Sequence, residues 1–486
     1  MGLHIEGCLG KKIMATVAVA FCAGSFVLAV AQGEVNGRPP LNTELEVETA
    51  SFSKQNFVLS LQKVLQSEGT EQALALYSGL PSEYEKDSEL LVIKASLLIS
   101  AQKFSQAKTI CTDIRSREPE NMDALELLLY IAKLEGDTRT QSTLLKSILA
   151  KDQYNVTANI ELAENAFDNK NYKQAYLYYQ KALVRDKDNE NVLFGLGQTE
   201  YYLGAKDPSM DSKAEATFKL ILEKNPSNSL AYSYLGKIAA ASSKYKTATG
   251  YIQKAIELEN DNYNYFLDYG MYERQLGHFS TAEQAWGQAI ALQPDYFLAY
   301  AYRGGLYDET DRISEALKDY ENVIRCNPDY YYAYESIGVL AVHQKQWDKA
   351  RAAFEKCYEM DKTNNISYPL MITYCYYMAG DRQGAKKFSD KVLRTLDRKS
   401  IDYAMLRVWH DEAGEMPLPQ KINALDNSNK KGKMWFYLGL LYDRVGGSEF
   451  ASENFSKVVQ MNSPMIFEYR MAEWKLGMNT DLSKAD

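Results

Sequence analysis

The chain has 486 residues, 46% hydrophobic and 24% charged, an ordinary globular balance with enough apolar material for a continuous core. Its net charge is −9 and its Lys and Arg residues form no cluster, so nucleic acid is not expected as the main partner. Four histidines lie in four separate segments, and HExxH, GxSxG, phosphate-loop and CxxC patterns are absent, which argues against a metal centre, a catalytic nucleophile, nucleotide chemistry and a bound cofactor.

Residues 13–31 run without a charge behind Lys11 and Lys12, and Ala29, Val30 and Ala31 place small residues before Gln32. This is the layout of a secretory signal. The run is also long enough for an uncleaved membrane anchor. Either reading keeps the basic flank in the cytoplasm and carries the rest across, so a periplasmic or secreted chain is expected, with or without an inner-membrane anchor. Lipidation is not expected, because Cys22 follows the bulky Phe21 and Cys8 precedes the run. Residues 32–53 read as a flexible acidic linker.

Beyond the linker a spacing of 34 recurs: Gly236, Gly270, Gly304 and Gly338; Ala248, Ala282, Ala316 and Ala350; Pro294 and Pro328. A fixed period of this length marks stacked supersecondary units. In the unit 263–296, Phe266, Tyr269 and Gly270 share one face of a first helix, and Ala282, Trp286 and Ala289 one face of a second. Gly277-His278 forms the turn and Gln293-Pro294-Asp295 stops the second helix. Gly270 and Ala282 let the two helices close up, and the large residue at position 24, here Trp286, is expected to fill the space between successive repeats.

In this register units begin near Lys54, Ser88, Met122, Val156 and Glu190, then near Ser229, Tyr263, Phe297, Tyr331 and Asn365. Residues 54–228 are partly degenerate, with Gln141 where Ala is expected and an insertion at 203–211. Residues 229–398 are regular. Residues 399–486 read as an irregular helical pair broken at 414–419, then a final repeat marked by Gly439, Tyr442, Ala451 and Phe455, then a capping helix over 466–476.

Tyr300, Gly304, Tyr307, Ala316, Tyr320 and Pro328, followed by Tyr334, Gly338, Ala350 and Phe354, resemble the tetratricopeptide repeat (TPR) family. The resemblance implies an all-α, right-handed superhelical solenoid of helix-turn-helix repeats, not an enzyme, whose concave surface holds proteins or peptides. In that family positions 2, 5, 9, 12 and 13 of each first helix line the concavity. Carried over by register, they imply a peptide-binding groove at Phe194, Tyr201, Tyr202, Lys237, Arg274, Tyr332, Glu335, Tyr376 and Tyr377, with Asp308, Glu309 and His343 on the same surface. The five tyrosines have no core duty in this register. An exposed Tyr combines apolar area with a hydrogen-bonding tip, so they are the expected recognition residues.

Trp435, Tyr437, Gly439, Phe455 and the run from Phe467 to Ala472 resemble more narrowly the end of TPR lipoproteins of Gram-negative envelopes. Those act as adaptors for peptidoglycan hydrolases and a periplasmic protease, which adds cell-wall enzymes to the expected partners. The expected function is an extracytoplasmic scaffold or adaptor. The alternative is a periplasmic carrier or chaperone for secreted or outer-membrane proteins. Cys111, Cys357 and Cys375 fall on core positions, so they read as small buried hydrophobes, Cys357 and Cys375 being the one pair placed for a disulfide. His278 and His343 are expected to be solvated.

Overall fold

The structure, a computed structural model, describes residues 52–361, 363 and 365–478. The signal or anchor at 1–31 and nearly all of the linker lie outside the described residues. The described residues form 25 helices and no strands. They divide into two compact units, one ending at Thr217 and the other starting at Phe218.

The first unit holds α1 (Lys54–Ser67), α2 (Thr70–Ala75), α3 (Ser88–Ser100), α4 (Phe104–Arg117), α5 (Met122–Leu134), α6 (Thr138–Lys151), α7 (Val156–Asp168), α8 (Tyr172–Arg185) and α9 (Glu190–Gly204). The division falls inside α10 (Pro208–Lys224). The second unit continues with α11 (Ser229–Ala241), α12 (Tyr245–Leu258), α13 (Tyr263–Gln275), α14 (Phe279–Leu292), α15 (Phe297–Glu309), α16 (Ile313–Cys326), α17 (Tyr331–His343) and α18 (Trp347–Met360). It ends with α19 (Ser367–Met378), α20 (Arg382–Leu393), α21 (Ile401–Asp411), α22 (Leu418–Asn423), α23 (Ser428–Arg444), α24 (Ser448–Gln460) and α25 (Phe467–Lys475). Nine first helices start at the residues read from the period. The tenth, α19, starts at Ser367, whose amide donates to the Asn365 side chain (3.2 Å).

Each first helix packs antiparallel against the second helix of its own repeat, and the small residues show why. Ala73, Ala107, Ala175, Ala214, Ala248, Ala282, Ala316 and Ala350 have no exposed surface. Gln141, which breaks this series, donates its side-chain amide to the Ala132 carbonyl at the end of α5 (3.1 Å), so the larger residue is satisfied. The glycine at position 8 has a sharper role than close approach alone. A Cβ on Gly270 would lie 2.6 Å from the Trp286 indole, one on Gly338 2.8 Å from the Phe354 ring, and one on Gly439 2.7 Å from the Phe455 ring. The large residue at position 24 does reach the next repeat, Trp286 packing with Ala299, Leu306 and Tyr302 (5.9 Å). It also seats on the glycine of its own repeat, and the Trp286 indole N–H donates to the Leu267 carbonyl of the same first helix (3.2 Å).

Helix starts and turns follow local chemistry. Asp87, Asn121, Asn155, Asn189, Asn228 and Asn262 each accept a backbone amide of the first turn they precede. Tyr296 and Tyr330 replace them before α15 and α17 without a side-chain cap; they pack instead as tilted rings, Tyr296 on Tyr263 (4.8 Å) and Tyr330 on Phe297 (5.0 Å). The turn between paired helices needs a left-handed residue. Gly136 and Gly277 supply it freely, whereas Gln102, Lys170, Ser243, Asp311 and Lys345 adopt φ of 59°, 58°, 56°, 55° and 58°.

The end of the second unit departs from a plain stack. Every residue from Ser367 to Cys375 in α19 is buried, as is every residue from Met434 to Leu441 in α23. The Tyr437 hydroxyl of α23 donates to the Ser367 carbonyl of α19 (3.2 Å), two repeats earlier. The first helices therefore curl in until α23 lies against α19. The last helix, expected as a simple cap, does cover α23 and α24, and it also reaches α17.

Candidate protein-binding surface

In the second unit the first helices α11, α13, α15 and α17 carry most of the expected groove. Their charged residues pair from one repeat to the next. Lys237 lies 3.5 Å from Asp268 and over the Tyr234 ring. Burial pushes the Asp268 carboxyl up, and Lys237 opposes that shift. Arg274 donates through Nε and Nη2 to Glu309 (3.0 and 2.6 Å). Apolar residues between these pairs stay open: Leu230 is 44% exposed, Met271 37% and Tyr332 66%. Tyr332 is nonetheless braced, its ring edge-on to Tyr330 (5.8 Å) and Tyr331 (5.7 Å). Glu335 is partly buried and accepts the Tyr368 hydroxyl (2.6 Å). Burial, then the nearby Glu468 carboxylate, pushes its pKa up to about 7, against the pull of Lys433.

Tyr376 and Tyr377 do not stand free, contrary to the reading that they lack packing duty. Both pack against the core of the second unit. Tyr376 lies under the Arg351 guanidinium (4.5 Å) and beside Phe388 (6.3 Å). Tyr377 donates to the Trp409 carbonyl (2.9 Å) beneath Arg444 (4.3 Å). The irregular helix α21 supplies Trp409 and so claims Tyr377 for the interior. Thr373, at groove position 9 of α19, has no exposed surface.

In the first unit Tyr202 is 42% exposed, and its ring stacks on Tyr172 (5.0 Å) and meets Phe167 edge-on (5.4 Å). Tyr201 and Phe194 are partly buried, Tyr201 lying edge-on to Tyr202 (5.4 Å). Lys133, at position 12 of α5, bridges Glu161 and Glu164 of α7 (2.6 and 2.7 Å), the same repeat-to-repeat pairing seen in the second unit.

The feature not foreseen is what faces Asp308, Asp311 and His343. Arg470 of α25 ion-pairs with Asp308 (2.8 Å) and Asp311 (3.1 Å) and also donates to the Asp308 carbonyl. Trp474 packs beside His343, the rings tilted by 50° (4.3 Å), and the Arg470 guanidinium lies over the Trp474 ring (4.7 Å). His343 stays exposed, as its position implies, with the Trp474 ring beside it. Phe467 packs beside Phe354 (5.8 Å) and Tyr368 (6.4 Å). Glu468, fully buried, accepts the hydroxyls of Ser367 (2.5 Å) and Tyr437 (2.8 Å). The signal in the sequence was a helix apolar on more than one side, with Phe467, Met471 and Trp474 on one stripe and Ala472 beside it.

His278 is mostly exposed and lies 2.7 Å from Glu273. The four described cysteines are free thiols, Cys111, Cys357 and Cys375 buried. Burial pushes the Cys111 thiol up to about 12. Asn155 is a buried helix cap, bonded to Glu126 (2.6 Å). Among the described residues no cluster of three or more His, Cys, Asp or Glu is placed to hold a metal ion, and no helix is long and apolar enough to cross a membrane.

Paired helices stacked on Gly–aromatic contacts, with a first-helix face of braced side chains, define a helical-repeat solenoid of the kind that carries protein-protein contacts. A family model, tetratricopeptide repeat, matches residues 267–322 and 306–365, so this stretch of the chain carries tetratricopeptide repeats. A TPR repeat-containing protein, YpiA, from Bacillus subtilis is 22% identical over 262 residues, 46% of this chain. The match spans 60% of that relative's length. Among solved structures, YrrB, described as a TPR protein with an unusual peptide-binding site, is 21% identical, covering 42% of this chain and 97% of its own, with a TM-score of 0.32. A tetratricopeptide repeat protein from Parabacteroides merdae is 16% identical, covering 59% and 98%, with a TM-score of 0.34. The helix pairs of this chain, rather than these partial overlaps, define its fold.

Proposed function

We propose that the chain is a non-catalytic extracytoplasmic scaffold that gathers protein or peptide partners, cell-wall enzymes among them, on the first-helix face of its repeats. The observation that carries this reading is Tyr332. It is two-thirds exposed yet pinned by two neighbouring rings. An aromatic held in place before binding loses little freedom on capture, which is what a recognition anchor needs. Leu230 and Met271, open on neighbouring first helices, extend the same face. The paired charges Lys237–Asp268 and Arg274–Glu309 fix the distances between repeats and leave apolar steps between them. The uncharged run at 13–31 behind Lys11 and Lys12 is the support for placement beyond a membrane.

The test is affinity purification of the full chain from its native envelope, in parallel with Tyr332→Ala. A partner-binding face predicts about tenfold lower recovery of the specific partners with an unchanged melting temperature, a loss of ~1.4 kcal/mol typical of an interface anchor. Equal recovery removes Tyr332 from the interface. A reporter fused after Asp486 that remains active only in the cytosol removes the extracytoplasmic placement.

A further inference from the structure

We propose that the C-terminal helix α25 is a tethered occupant of the partner-binding face, and that the site it covers takes an amphipathic helix bearing an arginine followed four residues later by a tryptophan. This rests on the reading of the first-helix face as the binding surface.

A helix that only capped the stack would bury an inner stripe on α23 and α24 and turn a polar side to water. α25 does bury Met471 and Ala472. Lys475 and Glu468 also hold to α23, through Asp443 (2.6 Å) and Tyr437 (2.8 Å), but two side chains reach repeats farther back in the chain. Arg470 reaches Asp308 and the left-handed Asp311 at the turn after α15, and Trp474 reaches His343 at the end of α17. Asp308 and His343 stand at groove positions 12 and 13 of their repeats, so the contact falls on the surface where the register puts ligands.

The receiving side joins charged recognition to apolar packing, Phe467 and Trp474 lying against the core beside the Arg470 contacts. Two carboxylates converge on one guanidinium, and such charge-assisted contacts are strong and directional. The imidazole meets the indole at a tilt of 50°, and the same guanidinium lies over the indole ring (4.7 Å). Glu468 of α25 itself brings a carboxylate, held by two hydroxyls, near Glu335 of the seat, and that like-charge approach opposes closure. Contacts that are specific but only partly buried, Arg470 at 29% and Asp308 at 23% side-chain exposure, suit a helix that comes and goes. Met465, 88% exposed, lies in the connection before α25, between Met461 packed on the core and the buried Ile466.

The probe is a fluorescent peptide of residues 463–478, added to the full chain and to the full chain carrying Arg470→Ala and Trp474→Ala. With the helix displaceable, the double variant binds the peptide at least tenfold more tightly than the unaltered chain, and a peptide carrying Arg470→Glu loses that gain. Equal binding by both chains, or binding indifferent to the peptide's arginine, overturns the proposal. Hydrogen exchange on the unaltered chain gives a second reading that needs no variant. The amides of α25 should exchange at least tenfold faster than those of α23; equal protection makes α25 a fixed cap and ends the idea. Tyr332 lies outside the Arg470 and Trp474 contacts, so loss of partner recovery in Tyr332→Ala stands or falls separately.

Discussion

Helices α13 and α19 hold the same place in their repeats and meet opposite surroundings. In α13 the groove positions 9 and 12 carry Met271, 37% exposed, and Arg274, which reaches along the surface to Glu309. In α19 the same positions carry Thr373, fully buried, and Tyr376, packed beneath Arg351. In the repeats from 229 to 360 that face leaves Leu230, Met271 and Tyr332 open. The repeats from 365 onward turn that face inward and cover it with their own chain, α23 against α19 and α25 beyond it. One repeat design therefore yields a presenting region and a sealed region, and what separates them is how far the first helices curl.

The contrast can be broken most severely from the sealed side. Phe436 in α23 has no exposed surface and lies against Phe455 (5.8 Å). Phe436→Ala should cost about 3–5 kcal/mol. Hydrogen exchange should show lost protection across 365–478 with repeats 229–360 still protected; uniform loss would mean that the two regions unfold as one. A smaller break tests the presenting side. Gly270→Ala drives a Cβ into the Trp286 indole and should cost about 1–3 kcal/mol by chemical denaturation. Gly250 in α12 meets nothing within 4 Å, so Gly250→Ala should instead stabilise by up to about 1 kcal/mol. A matching loss at both would dismiss the seat that glycine makes for the ring.

Acidity should act more gently, where α25 meets α15 and α17. Glu335, raised to about 7, faces Glu468 from α25, Tyr368 from α19 and Lys433 from α23; Asp308, raised to about 6 by burial, faces Arg470, Asp311 and Glu309. Both carboxyls bind a proton more tightly folded than unfolded. Their contribution to stability therefore grows as pH falls through 7 and 6 toward the ordinary carboxylate range, and shrinks on the alkaline side. The melting temperature should rise from pH 8 to pH 6, and Glu335→Gln should flatten part of that slope; an identical slope would exclude Glu335 as its source. The least change concerns the turns. Lys345 sits at φ 58° where glycine is free to, so Lys345→Gly should stabilise by about 0.5–1 kcal/mol in the same denaturation assay.

Much of the fold was legible because each repeat solves its packing locally. Gly270, Ala282 and Trp286 recur as types because two adjacent helices impose them, and that recurrence located nine helix starts. The candidate surface was legible only in part. Tyr332 stands open as its register position implies, whereas Tyr377, at an equivalent kind of position, is drawn inward by Trp409 from a helix outside the regular period. No local pattern around Tyr377 records that neighbour.

The spacing of 34 residues determined by itself that helical pairs would stack, which residues would face one another within a pair, and where each pair would begin, since these depend on contacts a few residues to one repeat apart. Only the tertiary structure decided that the stack closes on itself, with Arg470 meeting Asp308 and Asp311 across some 160 positions of sequence. The physical reason is accumulation. Each repeat adds a small rotation set by side-chain volumes, and whether several such rotations bring α25 against α17 depends on their sum, which no single repeat encodes.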